Sequence, residues 1–383
     1  MTEKLYDSDS YKTEFDATVI SCEKCDDGYR TLLDRTLFFP NEGGQECDTG
    51  SLNGIEIKNV EIIGDEIYHY SDSPFEIGSD VQGKIDFEER YRKMQNHTGE
   101  HILSGLAHTL YGCENVGFHL GKDNVTMDLD KPLNKDELKL LEEKANMAIY
   151  ANSDITARYP DKNELAKMQY RCKSDISGEI RIVKIDGIDT CACCAPHVAK
   201  TGEIGIIKIL GFINYKGGVR LNIACGFDAF ADYDKRLQRN ITISTLLSAK
   251  QEDIVDAVEQ LIDNIAVLKN EIGKKNEIIT NLYVNSIANS DGNICLVTDS
   301  LSNGEMRHIA NGLKEKTPKL AAVFSGDDQS GYSYIITSKE IDLKDVANDV
   351  NKALSGRGGG RGEMIQGSVK ASKEEIEEYF IGM

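Results

Sequence analysis

Positive charge is scarce in this chain: 44 Lys and Arg stand against 64 Asp and Glu, a formal net charge of −20. That balance excludes broad, nonspecific attachment to nucleic acid, because phosphate contacts need clustered Lys and Arg, but it leaves room for a local basic site. No apolar run reaches the ~18 residues needed to cross a bilayer, and no basic, apolar leader is visible. A soluble, cytoplasmic protein with no membrane partner is therefore expected. The 10 cysteines are unevenly placed, unlike a secreted disulfide framework, so reduced thiols are expected. Cys22 and Cys25 form a lone C-x-x-C; without a second such pair, two free thiols are favoured over a redox pair or a second metal site. Histidine is scarce as well, 7 in 383 residues. Three of these fall inside two short motifs.

The first motif is His97 and His101 in MQNHTGEHILSG; the second is Cys193 and His197 in CACCAPHVAKTGEIG. Positions i and i+4 of a helix share a face, so His97 and His101 can aim two imidazoles at one ion. A thiolate and a third imidazole from the second motif complete a tetrahedral N/S set of the kind zinc prefers to magnesium or calcium. Zinc is the expected metal, with Cys194 as substitute ligand if the loop register differs. HTGEH is also H-x-x-E-H, the order of inverted zinc proteases, where Glu100 would be the general base. Those proteases complete the site with a carboxylate from a downstream helix, whereas the downstream partners here are Cys193 and His197 beside Pro196. Glu100 otherwise reads as an acceptor for a ligand imidazole or as a solvated helix residue.

A chain of this length exceeds what one core usually supports, so two or three domains are expected. Residues 1–88 read as short strands between turns, a small β-barrel. From Glu88 the period becomes helical, with Met94, His97, His101 and Gly105 near one stripe and Leu103, Leu106 and Leu110 on an opposite, core-facing one. A helix introduced by Asn134 and strands around ITARY, IRIVKI, IGIIKIL and VRLNIAC complete an α+β domain over 89–231. Residues 232–284 form one long helix or a hairpin of two; Ile254, Val258, Leu261, Ile265, Leu268 and Ile272 make a heptad stripe that needs a partner helix, in this chain or in a second copy. Residues 285–383 alternate strands and helices, an α/β domain. Within it SGRGGGRGEM carries Arg357 and Arg361 among glycines, where backbone amides and guanidinium groups could approach a phosphate chain; a flexible turn without ligand is the alternative. No Lys-Ser/Thr follows, so it is not a nucleoside-triphosphate loop.

Taken together, FFPNEGGQECDTG (Phe38 to Gly50), the HTGEH helix, GFHLGKDNVTMDLD, CCAPHVAKTGEIG and GGVRLNIACG resemble, in this order, the AlaX proteins, free-standing relatives of the editing domain of alanyl-tRNA synthetase. The C-terminal part through GRGGGRGEMIQG resembles the DHH-associated domain of that synthetase and of long AlaX forms. One departure is Ala195-Pro196-His197 where the synthetase has Gly-Thr-His, which keeps the ligand spacing but removes a hydroxyl near the metal. The resemblance implies an α+β multidomain protein: a β-barrel, an editing domain of the kind shared by threonyl- and alanyl-tRNA synthetases, a coiled-coil-like linker and a DHH-associated domain. It implies zinc-dependent hydrolysis of misacylated alanine-type tRNA, above all the seryl form with the glycyl form second. No aminoacylation core precedes the barrel, so the chain is expected not to activate alanine. Gln45 is implied as an amide that contacts the tRNA end or the attacking water, with Gly43 and Gly44 allowing close approach; Asp48 and Gly50 shape the turn. His119 either lines the amino-acid pocket or is a satisfied histidine beside a strand. Competing expectations are a noncatalytic tRNA-binding module with structural zinc and, behind it, the inverted zinc peptidase. A homodimer through the helical linker or the C-terminal domain is a further expectation.

Overall fold

The computed structural model describes residues 1–26, 28–122, 124–172 and 179–382, so Asp123 of GFHLGKDNVTMDLD lies outside the described residues. It divides into two compact units, Met1–Thr242 and Ile243–Met383. No helix among the described residues is long and apolar enough to cross a membrane.

The first unit opens with a seven-stranded antiparallel sheet: β1 (Glu14–Cys25), β2 (Gly28–Leu33), β3 (Gly50–Leu52), β4 (Ile55–Ile57), β5 (Asn59–Ile63), β6 (Glu66–Ser71) and β7 (Asp80–Ile85), in the order β4-β3-β7-β1-β2-β6-β5. Strand β4 also touches β6, so the sheet is nearly closed and barrel-like. Alternation directs the fold: Phe15, Ala17 and Val19 of β1 and Val81 and Ile85 of β7 point inward around Phe38 and Phe39. Cys22 and Cys25 both lie on β1. Three residues of extended strand separate their Cα atoms by about 10 Å and point the side chains to opposite faces, so they close neither a disulfide nor a shared metal site.

Helix α1 (Phe87–Tyr111) follows, capped by Asp86, whose carboxylate accepts from the Glu89 amide at 3.2 Å, and ended by Gly112 in the left-handed conformation. Arg90 ties it to the barrel through a fully buried bidentate pair with Asp48, which also accepts from the Phe39 amide at 2.6 Å. The leucine face is only partly as expected: Leu103 is buried, Leu106 packs at the margin of the core, and Leu110 is 41% exposed. The middle of α1 is buried all round, polar residues included, so its burial does not follow one apolar stripe. Strands β8 (Asn115–Leu120) and β9 (Val125–Leu129), helix α2 (Lys135–Tyr150), strands β10 (Ile155–Arg158), β11 (Ile182–Ile185) and β12 (Asp189–Ala192), then β13 (Ile207–Tyr215) and β14 (Gly218–Cys225), complete the unit as sheets β8-β9-β14-β13 and β10-β11-β12. Asn134 caps α2 in a reciprocal capping box with Glu137. Residues of α1, α2 and the four-stranded sheet share one core. Helix α3 (Phe227–Leu247) runs past the end of the unit.

In the second unit, helix α4 (Ile254–Ser286) buries only Thr280, and Val258, Leu261, Ile265, Leu268 and Ile272 of its stripe stay exposed. Strand β15 (Ile294–Thr298), helix α5 (Asn303–Lys314), strands β16 (Ala321–Asp327) and β17 (Gly331–Thr337), helix α6 (Lys344–Ala353), strands β18 (Arg357–Arg361) and β19 (Met364–Val369) and helix α7 (Lys373–Ile381) build a sheet of order β15-β16-β17-β19-β18. Both faces of this sheet are covered: Ala321 and Val323 pack with α5, Ala322 and Phe324 with α6 and α7, which accounts for the unbroken apolar run of β16. The glycine-rich run is the edge strand β18, not a flexible turn. A Cβ on Gly358 would lie 2.4 Å from the Tyr334 hydroxyl and 2.6 Å from the Gly367 Cα, so close approach explains the glycine there.

Candidate metal centre

The Gly43-Gly44 pair makes a two-residue hairpin: φ is 64° and 83°, and Glu42 and Gln45 exchange backbone hydrogen bonds of 3.2 and 3.0 Å. Positive φ at both positions selects glycine, and a Cβ on Gly44 would stand 2.2 Å from the Phe118 carbonyl oxygen. The turn is laid on β8 by the Leu120 amide, which donates to the Gly44 carbonyl at 2.7 Å. This docking carries Gln45 to His97.

His97, His101, Cys193 and His197 come together, their ligand atoms within 4.8 Å of one another. The ring centroids of the three imidazoles are 4.8–5.5 Å apart, and Cys193 Sγ lies 3.5 Å from His97 Nε2 and 3.3 Å from His197 Nε2. Each Nδ1 is held from behind. His97 Nδ1 donates to Gln45 Oε1 at 2.7 Å, His101 Nδ1 to Asp189 Oδ2 at 2.9 Å, and His197 Nδ1 pairs with Thr98 Oγ1 at 3.0 Å. Fixing Nδ1 leaves Nε2 as the free lone pair, the usual outer-shell arrangement of a ligating histidine. Asp189 is held in turn by Arg171, whose Nε and Nη2 donate to its two carboxylate oxygens at 2.8 Å each. Burial would raise the Asp189 carboxyl; the bonds from His101 and Arg171 outweigh it and lower it. Burial would likewise raise the Cys193 thiol, yet the imidazoles around it hold it well below its ordinary range, and burial pushes His197 down to about 3. A thiolate among Nε2 lone pairs is a donor set that fits zinc.

The loop of the second motif is braced by Arg181, which donates to the carbonyls of Cys193 at 3.1 Å and Ala195 at 2.8 Å. Cys194 turns the other way. Burial chiefly, with the charges of Cys193 and Glu42 adding to it, pushes its thiol upward, and Cys193, not Cys194, joins the cluster.

Glu100 is not a solvated helix residue. It is 1% exposed, and its Oε1 accepts from Ser104 and Asn115. The acceptor place is filled instead by Asp189, Gln45 and Thr98. Thr98 is adjacent to His97 in the sequence, and Asp189 stands four residues before Cys193, mirroring the spacing of the ligands; neither spacing alone marks a partner. Gln45 is 2% exposed, with Nε2 lacking a hydrogen-bond partner among the described residues. His119 is exposed on β8, one residue after Phe118, whose ring lies 4.9 Å from His97; successive strand residues face opposite sides. Arg357 and Arg361 lie in the other unit, exposed on β18, two strand repeats apart and therefore on one face.

Residues 180–222 match the family described as the threonyl and alanyl tRNA synthetase second additional domain, and residues 291–380 match the DHHA1 domain. The chain is 27% identical to the alanyl-tRNA editing protein AlaX-L of Pyrococcus horikoshii over 98% of its own length and 96% of that protein. It is 28% identical to the alanyl-tRNA editing protein Aarsd1 of Mus musculus, covering 96% of this chain and 94% of that one. An alanine–tRNA ligase of Pyrococcus abyssi is 30% identical over 98% of this chain, which spans 43% of the ligase. The class so defined is a synthetase-type second additional domain followed by a DHHA1 domain. Over nearly its whole length the chain is similar to the alanyl-tRNA editing proteins AlaX-L and Aarsd1.

Proposed function

We propose that this protein is a trans-editing hydrolase that removes a wrongly attached amino acid, serine first and glycine second, from alanine-type tRNA and does not itself activate alanine. The observation that carries this reading is the convergence of three Nε2 atoms and one thiolate beside the glycine hairpin, each imidazole held by its own partner. His97, His101, Cys193 and His197 would hold zinc, which when bound supplies Lewis acidity toward an ester carbonyl or a water. The reaction adds water across the acyl–oxygen bond, with hydroxyl going to the acyl carbon and a proton to the 3′ ribose oxygen. Gln45 holds His97 through Oε1 and offers Nε2 to an ester oxygen as charge develops there. The neighbouring ribose hydroxyl orients the water. That division leaves no proton transfer to Glu100, in keeping with its bonds to Ser104 and Asn115.

In the second unit, Arg357 and Arg361 are assigned to tRNA phosphates, and the exposed stripe of α4 to the same stripe of a second copy. Sedimentation equilibrium tests the latter: a dimer mass is expected, falling to a monomer in Ile265→Asp/Leu268→Asp. The decisive test of the function follows ester loss from seryl-tRNA and alanyl-tRNA of the alanine type, with Cys193→Ala as control. Rapid loss of serine alone, abolished in the variant, is expected. Tight tRNA binding with ester loss at the uncatalysed rate would replace the hydrolase by a binding module.

A further inference from the structure

Five buried side-chain atoms have no hydrogen-bond partner among the described residues: the Tyr6 hydroxyl, Asp7 Oδ1, Glu42 Oε2, Gln45 Nε2 and Arg181 Nε. Asp7 and Arg181 face each other at 3.5 Å, and the other Asp7 oxygen accepts from Tyr159 at 2.7 Å, so that pair is largely self-satisfied. The remaining three atoms are not. Tyr6 is 1% exposed and Gln45 2% exposed, and a hydrogen bond left unmade at such depth is destabilising. Glu42 forms no ion pair with Lys, Arg or His among the described residues.

The hairpin sets the relation of these groups. Glu42 and Gln45 are directly opposed in an antiparallel bridge, so their side chains leave the same side of the turn with Cβ atoms about 5 Å apart. Gln45 reaches His97 from that side, and the turn lies against Cys194, the neighbour of ligand Cys193, whose Sγ would stand 3.9 Å from a Cβ on Gly43. The Tyr6 ring packs edge-on against Phe39 at 5.4 Å, three residues before Glu42, and burial chiefly, with the Asp7 and Glu42 charges adding to it, raises its hydroxyl and keeps the phenol protonated. One carboxylate oxygen of Glu42 and the Gln45 amide donor thus stand side by side on the hairpin without partners among the described residues, as does the Tyr6 phenol oxygen. An aminoacyl ester offers the complement: an ammonium group on the carbon next to its carbonyl.

We infer that Glu42 and the Tyr6 hydroxyl form a subsite that accepts the α-ammonium group of the aminoacyl ester, while Gln45 Nε2 donates to its carbonyl oxygen. The inference rests on the hydrolase reading and adds to it a requirement for positive charge on the substrate. A charge-assisted hydrogen bond lost at such a site corresponds to about a 10- to 100-fold effect.

The test uses seryl-tRNA and the same tRNA after nitrous acid deamination, which replaces the α-amine with a neutral hydroxyl of similar size. For the unsubstituted protein, kcat/KM is expected to favour the seryl form by about 10- to 100-fold. In Glu42→Gln, with metal content and melting temperature as controls, that ratio is expected to fall close to one; Tyr6→Phe should lower it in part. A ratio near one in the unsubstituted protein, or the same ratio in Glu42→Gln, overturns the subsite. If neither ester is turned over by the unsubstituted protein, the hydrolase reading fails instead. The subsite is then judged by calorimetry with 3′-serylamido-3′-deoxyadenosine and its α-hydroxy counterpart: tighter binding of the amine, lost in Glu42→Gln, upholds it, and equal binding overturns it.

Discussion

The His/Cys cluster of the first unit and the arginine-bearing edge strand of the second place the side chains proposed for function in opposite physical settings. In the cluster every imidazole has its second nitrogen held, and one holder, Asp189, is itself gripped by Arg171. On β18 Arg357 and Arg361 stand exposed among glycines at the edge of a sheet. A metal or a reacting ester needs donors fixed to within tenths of an ångström before the ligand arrives. A phosphate chain needs reachable charge that adapts to it. The first setting concentrates the effect of a substitution in chemistry and metal affinity; the second spreads it over binding.

That contrast is sharpened most by removing a ligand. Cys193→Ala takes away the one anionic donor of the set, and deacylation is expected to fall on the order of 1000-fold, with zinc no longer retained on gel filtration. Gly44→Ala comes next. With φ at 83° and the Phe118 carbonyl 2.2 Å from the new Cβ, the hairpin must leave β8, at a cost on the order of 2–4 kcal/mol, seen as a lower melting temperature together with weaker metal retention through Gln45 and His97. Asp189→Asn is milder. Asparagine still accepts from His101 but carries no charge to face Arg171, and zinc affinity is expected to fall by about 10-fold, measured by chelator competition. If Asp189→Asn leaves that affinity unchanged, the cluster is not preorganised in the way the contrast requires.

The two settings also differ in how far a sequence reveals them. The four clustered residues are recoverable because helical i,i+4 spacing and a C-x3-H loop are local geometry, and histidine is scarce. Their holders are not, because Asp189 and Arg171 arrive from segments that only sheet pairing brings under α1, and a threonine beside a histidine has no distinguishing pattern. Glu100 fits the spacing of a base but is turned to Ser104 and Asn115, a choice made by tertiary packing. The same limit applies to β18. Glycine richness reads as a flexible turn, whereas the close approach to Tyr334 and Gly367 that favours glycine exists only after β19 has paired. Strands with period 2 and the capped helix at Asn134 were legible because burial and capping act within the segment itself.

The smallest expected effect is at the edge strand, and its form matters more than its size. Arg357→Ala/Arg361→Ala removes two exposed charges from one face of β18 and no packing, so the melting temperature and zinc content should stay unchanged. Affinity for tRNA should weaken, and the plot of log affinity against log salt should become shallower by about 1.5, the value for two phosphate contacts. Hydrolysis at saturating tRNA should be preserved, because the loss falls on KM and leaves the cluster intact. An unchanged salt slope would remove these arginines from the tRNA surface. A fall in kcat at saturating tRNA would show that the edge strand also positions the ester, and the separation between a preorganised chemical site and an adaptable binding strand would then not hold.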